Sequence, residues 1–184
     1  MARLPKTSNT PHASECVVHI PLAELHPPDF HPFRLDDDEA MLCLAENIKE
    51  NGVLVPGIVR IRTAGGYELV AGNRRKRACE LAGTPCLPAI IREMDDDTAT
   101  IVMVDTNLEQ REKLLPSERA WAYWVKMQAL GHKGIKGEKQ SADILAEQTG
   151  ESRSQIFRFM RLTELIVELM DKVDTKQLAF NPAC

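Results

Sequence analysis

The sequence predicts an α+β protein in which an N-terminal α/β unit is followed by an all-α unit. Short apolar runs at residues 17–20, 58–61, 67–70 and 87–91 sit beside Gly or Pro, the pattern of brief strands. Helical periodicity separates them, and after Asp97 every apolar repeat is helical. The third observation is the segment YELVAGNRRKRACELAG at 67–83, where a strand passes through one glycine into an arginine-rich helix start.

In chain order, residues 1–14 are polar and aperiodic, and are expected to form a flexible arm. The first strand follows, then Leu22 and Leu25 as packing anchors, then the loop HPPDFHPFR, kept extended by two His-Pro steps. Met41, Leu44, Ala45 and Ile48 stripe a helix over about 37–51, closed by Asn51-Gly52. Ala64-Gly65-Gly66 turns strand 58–61 back into 67–70 as a hairpin. The helix at 73–82 ends at Gly83-Thr84-Pro85, and the strand at 87–91 completes the α/β unit. The acidic runs Asp36-Asp37-Asp38-Glu39 and Asp95-Asp96-Asp97 each precede a helical stripe and read as N-caps and first-turn acids. Ile101, Val102, Val104 and Leu108 mark the next helix; Pro116 opens another, striped by Trp121, Val125 and Leu130; the segment 131–139 is a Gly/Lys loop. Domains are accordingly expected at 15–105 and 106–184.

Bulk properties narrow the function classes. A chain of 184 residues, 43% hydrophobic, can build real cores. It lacks an apolar run near the roughly 18 residues that a membrane span needs, and its start lacks a signal-peptide core, so the cytoplasm is the expected compartment. Five cysteines without Cys-x-x-Cys spacing read as reduced, mostly buried thiols rather than zinc ligands. The net charge of −4 hides an uneven distribution: Lys133 to Arg161 carries six basic against four acidic residues. Such a basic face on an acidic protein suits DNA while limiting indiscriminate attachment.

Two segments carry chemistry. At the 67–83 junction, the unpaired N–H groups of the first helical turn and the positive end of the helix dipole favour an anion. Arg74, Arg75 and Arg77 add forked donors suited to phosphate, and their cost at a helix N-terminus implies an anionic partner. In SADILAEQTGESRSQIFRFMRL at about 141–162, two short amphipathic helices flank Thr149-Gly150-Glu151, and Ser152 caps the second. This is a helix-turn-helix signature. Ser152, Arg153, Ser154, Gln155, Arg158 and Arg161 are the candidates for base edges and phosphates. An ordinary helical hairpin is the plainer alternative.

With these motifs in order, residues 16–184 resemble the ParB-type partition proteins, the centromere-binding family of bacterial chromosomes and plasmids, with most likeness to plasmid and mobile-element versions. GNRRKRA at 72–78 matches the family's Gly-Glu-Arg-Arg-x-Arg-Ala box, IKENGVLVPGIVR at 48–60 resembles the segment before it, and NLEQREKLLPSERA at 107–120 resembles its Glu-Asn-Leu-Gln-Arg-Glu element. The resemblance implies a ParB/sulfiredoxin-like N-terminal domain binding cytidine triphosphate (CTP) with Mg2+, and a helix-turn-helix domain binding palindromic centromere DNA. It also implies a homodimer, a ParA-type ATPase partner, and nucleoid or plasmid association; Arg3 and Lys6 in the arm are candidate contacts to that ATPase, with a plain disordered tail as the favoured alternative. Carried over by position, Gly72, Asn73, Arg74 and Arg75 hold the triphosphate. Gly52, Val53 and Pro56 line the base pocket, with Val55 where relatives often carry glutamine; Asn107, Gln110 and Arg111 complete the site.

Two departures change the expectation. Asn73 replaces a glutamate implicated in hydrolysis, so CTPase activity is expected to be weak or absent. The segment Thr106 to Gln110 either carries one extra residue or lacks the family's glutamate before Asn107, and Glu109 is the candidate substitute as a metal ligand beside Asn107. The family's full architecture adds a C-terminal dimerisation domain, so a chain shortened after the helical segment 163–173 is expected. The rival readings are a nucleotide-independent helix-turn-helix repressor and a ParB-fold enzyme of nuclease or kinase type. Sulfiredoxin chemistry lacks its cysteine, since Asn73 stands there.

Overall fold

The computed structural model describes residues 16–110, 113–134 and 138–180. The expectations for the 1–14 arm, Arg3, Lys6, Arg111 and Cys184 lie outside them. Five strands form one mixed sheet in the order β1-β5-β3-β4-β2. These are β1 Val17–Pro21, β2 Leu25–His26, β3 Gly57–Ile61, β4 Tyr67–Ala71 and β5 Cys86–Ile91. The pairings β1/β5 and β3/β4 are antiparallel; β3/β5 and β2/β4 are parallel. Leu25 was expected only to pack, yet it also begins β2, two residues long, laid parallel on β4 through Leu25↔Tyr67 and His26↔Glu68.

Both faces of the sheet are covered. Helices α1 Glu39–Asn51 and α2 Asn73–Ala82 close one face around Val59, Leu69, Leu87, Met41, Ile48 and Ala78. On the other face, Val70 joins Phe33, Ala99, Met103, Val104 and Ala122, brought by α3 Asp96–Gln110 and α4 Pro116–His132. Leu69 and Val70 thus serve opposite cores, as the two-residue strand period requires. Both acidic runs cap as expected. Asp38 Oδ1 accepts from Met41 N at 2.8 Å, and Asp95 Oδ1 accepts from Thr98 N at 2.7 Å. The Thr98 hydroxyl, then its N–H and Lys133, donate to the Asp95 carboxylate and pull its pKa down to about 2.

α3 lies where the domain boundary was placed, and it contributes to both the sheet core and the helical half. A second tie crosses the same junction: the Glu118 carboxylate, buried at the start of α4, accepts from Leu115 N at 2.9 Å and from Arg34 N at 2.7 Å. The helical half is α4 with α5 Glu138–Thr149, α6 Arg153–Arg161 and α7 Val167–Asp174. The helical segment expected at 163–173 is divided: a 3-10 turn at Leu162–Glu164 precedes α7, and Ile166 provides its extended N-cap. Two cysteines correct the expectation of mostly buried thiols. Cys79 is buried in the sheet core, but Cys16 and Cys43 are exposed.

Tyr123 anchors the helical core, edge-on to Phe159 with centroids 5.8 Å apart. Burial, then the Glu151 charge, push its phenol up to about 12. The folded state therefore resists ionisation, so this contribution to stability is complete below pH 10 and is lost as pH rises through about 12. Alkaline near-ultraviolet titration should show one tyrosine ionising near 12 in the native protein, absent in Tyr123→Phe. A native spectrum with every tyrosine ionised near 10 would contradict it.

Candidate functional site

The junction between β4 and α2 turns on Gly72. Its φ of 116° lies where L side chains are strained, and an added Cβ would stand 3.3 Å from Gly57 Cα and 3.5 Å from the Arg75 guanidinium carbon. No side chain caps α2 and no acid occupies its first turn, so the N–H groups there are left to solvent or a ligand. Above them is a cleft of about 520 Å³. Gly72, Asn73, Arg74 and Arg75 form one wall, and Thr106, Asn107 and Gln110 of α3 face them with Lys113; Asp38, Ala40 and Leu44 close the α1 side.

The three arginines separate. Arg75 reaches back to donate Nη1 to the carbonyls of Val55 and Pro56 at 2.6 and 2.5 Å, holding the α1–β3 loop against α2. Burial lowers its pKa, yet a guanidinium in water near neutrality stays charged. Arg74 stands 3.6 Å from Asp38 Oδ1, a long contact to a carboxylate already capping α1. Arg77 corrects the expectation of a third phosphate donor. Its fork is matched by Asp37, with Nε–Oδ1 at 2.9 Å and Nη2–Oδ2 at 2.6 Å, while Nη1 meets Glu80 at 3.0 Å. The bidentate carboxylate satisfies the planar guanidinium, whose hydrogen bonds depress the Asp37 pKa, so Arg77 ties the loop before α1 to α2.

The other expected residues divide between clefts. Asn107 Nδ2 donates to Met103 O at 2.8 Å, which leaves Oδ1 for the cleft. Glu109 is the correction to the metal pair: it lines a separate cleft with Asp105, Tyr123 and Glu151. Residues two apart on a helix point to different sides. Gly52 and Val53 line a shallow hollow with His19 and Pro88, and Pro56 meets the site through its carbonyl bond to Arg75. Thr106, Lys113 and Asp38 were missed. Thr106 could have been found one position from Asn107; Lys113 and Asp38 arrive through tertiary contact and left no local signal.

Around the second motif, Gly150 bends the chain at φ 70° and Ser152 Oγ accepts from Gln155 N at 3.2 Å, capping α6. Ser152, Ser154, Arg158 and Arg161 are exposed and Gln155 is half-buried, while Ile156 and Phe159 turn into the core. Arg153 is exposed but pairs with Asp143 of α5. Arg119 of α4 holds Glu151 in the turn at 2.5 Å.

The family model for the ParB N-terminal domain matches residues 6–108. The chain belongs to the ParB N-terminal domain family. Stage 0 sporulation protein J of Bacillus subtilis is 39% identical over 83% of this chain and 51% of its own length. Chromosome-partitioning protein Spo0J of Thermus thermophilus is 35% identical over 99% and 61%. The chain thus spans about half to three-fifths of these relatives. Among solved structures, the C-terminally truncated chromosome-partitioning protein ParB of Caulobacter crescentus, complexed to the centromeric parS site, superposes with a TM-score of 0.58 at 28% identity. That match covers 90% of this chain and 82% of that one. Two of these three are chromosome-partitioning proteins by name, and none is named for a plasmid, which leaves the plasmid or mobile-element likeness without support from them. Within this ParB-family fold, the cleft joins the Gly72 box to the Asn107 element across α2 and α3. No described helix is long and apolar enough to cross a membrane.

Proposed function

We propose that this chain is the nucleotide- and DNA-binding part of a partition protein. α6 reads a centromere-like palindrome, and CTP bound in the Gly72–Asn107 cleft drives a homodimer to close as a sliding clamp. One observation carries the nucleotide reading: an uncapped helix N-terminus, Arg74, Arg75 and Lys113 converge on one cleft of about 520 Å³ with Asn107 opposite. The site fits a metal-complexed triphosphate. Arginines and amides would take phosphate oxygens, and Asn107 Oδ1 would join the Mg2+ shell, whose other ligands come chiefly from the phosphates and water. Because Asn73 lacks a carboxylate, the chain binds nucleotide with little turnover.

The DNA reading rests on α6, whose first turn is capped, free of acids and outward-facing, and on similarity to a ParB that was solved on its own parS site. Phosphate contacts from Arg158 and Arg161 would fix register, with Gln155 and Ser154 reading bases. Closure requires that nucleotide favour the closed arrangement, which a ligand bridging α2 and α3 can do. A ParA-type ATPase is the partner this role implies. The test is calorimetric titration of the four ribonucleoside triphosphates, with and without Mg2+ and a palindromic duplex. CTP binding that excludes the other three is expected. Equal affinity for all bases removes the cytidine assignment, and DNA binding without any nucleotide effect leaves a simple repressor.

A further inference from the structure

Asn73 is held by a residue that sequence reasoning did not single out. His31, in the loop between β2 and α1, places Nδ1 2.8 Å from Phe33 O and Nε2 3.1 Å from Asn73 Nδ2. Its ring packs edge-on against Phe33, centroids 5.6 Å apart, and Phe33 is buried in the α3-side core. The imidazole is thus fixed by a bonded backbone carbonyl and an anchored ring.

The bond pattern sets the orientation of the Asn73 amide. A carbonyl oxygen can only accept, so Nδ1 carries the proton toward Phe33. Nε2 of the neutral ring is then an acceptor, and only the NH2 end of Asn73 can satisfy it. The carbonyl end, Oδ1, is therefore the end not bonded to His31, and Asn73 lines the cleft. Oxygen there has a definite preference: it repels bare phosphate oxygens, which are also acceptors, but accepts from metal-bound water or ligates the cation.

We propose that His31 is a positioning residue that locks Asn73 with its oxygen toward the cleft, making the site selective for the Mg2+ complex of a nucleoside triphosphate over the metal-free form. The inference rests on the nucleotide reading above. It explains how an uncharged side chain serves where the family carries a carboxylate: one fixed oxygen is kept, and the full charge is given up.

The test is CTP affinity by calorimetry with Mg2+ and with excess chelator, in the whole chain. Unaltered protein should favour Mg2+–CTP. His31→Ala frees the amide to rotate and should lower the Mg2+ to metal-free affinity ratio about tenfold, the worth of one hydrogen bond to a charged group. His31→Gln, which offers both a donor for Phe33 O and an acceptor for Asn73, should restore the ratio. Asn73→Ala should match His31→Ala, and the double variant should be no worse than either. In ligand-free protein, the Asn73 side-chain NH2 resonance should shift in His31→Ala and return in His31→Gln. An unchanged ratio in His31→Ala, or additive losses in the double variant, overturns the proposal. If His31→Ala does not fold, Asn73→Ala decides through the same ratio. Unaltered protein that binds no CTP under either condition instead removes the nucleotide reading itself.

Discussion

Gly72→Ala is expected to lose at least tenfold in CTP affinity and about 1–3 kcal/mol of stability, with initial binding to an operator duplex retained. The added methyl is strained at φ 116° and meets three parts of the site together. It crowds Gly57 Cα at 3.3 Å in β3, touches the Arg75 guanidinium at an ordinary contact distance of 3.5 Å, and stands at the N-cap of α2. The tight neighbour is backbone in β3, so relief of the contact shifts β3 against the start of α2, where Arg75 bonds the carbonyls of Val55 and Pro56. Calorimetry reports the affinity, thermal unfolding the stability, and mobility shift the DNA step. Affinity within twofold of the unaltered protein would show that the Gly72 junction does not hold the ligand. Parallel loss of operator binding would show instead that the whole fold is damaged.

Where local rules were strong, the fold was legible in the sequence. Strand-bounding Gly and Pro, the capping Asp38 and Asp95, and the Gly150-Ser152 turn appear as their chemistry requires. β2 could not be read, because a two-residue strand is defined by the β4 edge it meets and not by its own composition. α4 misled for a different reason. It is pressed between two cores, so Ala122 faces the sheet side while Tyr123 and Met127 face the helical side; of the single stripe expected, Leu130 is buried but Trp121 and Val125 are only half-buried. In the site, Gly72, Arg74 and Asn107 were legible because each carries a local backbone or side-chain signature. Arg77 was not, since nothing near it in sequence reveals that Asp37 of a distant loop completes its fork. The separation of Asn107 from Glu109 was readable in principle, for helical spacing alone sets them on different sides. His31 became visible only when the loop folded across Asn73.

Asp105→Ala is expected to cost about 3 kcal/mol, more than any surface substitution in the chain, and to lower the melting temperature by roughly 6–12 °C. Lys126 of α4 is 1% exposed, with Nζ between Asp105 of α3 and Gln148 of α5. Removing Asp105 leaves an ammonium enclosed with one neutral partner, and a stranded buried charge is the costly outcome. The reverse change differs. In Lys126→Met the enclosed charge is gone and the methionine fills most of its volume, while Asp105, 28% exposed, can be hydrated. That variant should lie within about 1 kcal/mol of the unaltered protein. The ordering separates burial from pairing: an ion pair valued for attraction alone would fail equally from either side, whereas a desolvated lysine beside a half-wet carboxylate fails mainly when the carboxylate is taken. Chemical denaturation of both variants measures it, and Lys126→Met proving the less stable would refute the assignment. Because Asp105 directly precedes Thr106 and Asn107, which line the cleft, the same pair of variants also shows whether the wall opposite Gly72 depends on this lysine: Lys126→Met should keep CTP affinity if α3 is held by its apolar contacts to Val70 and Ala122, and lose it if the ammonium is what seats the helix.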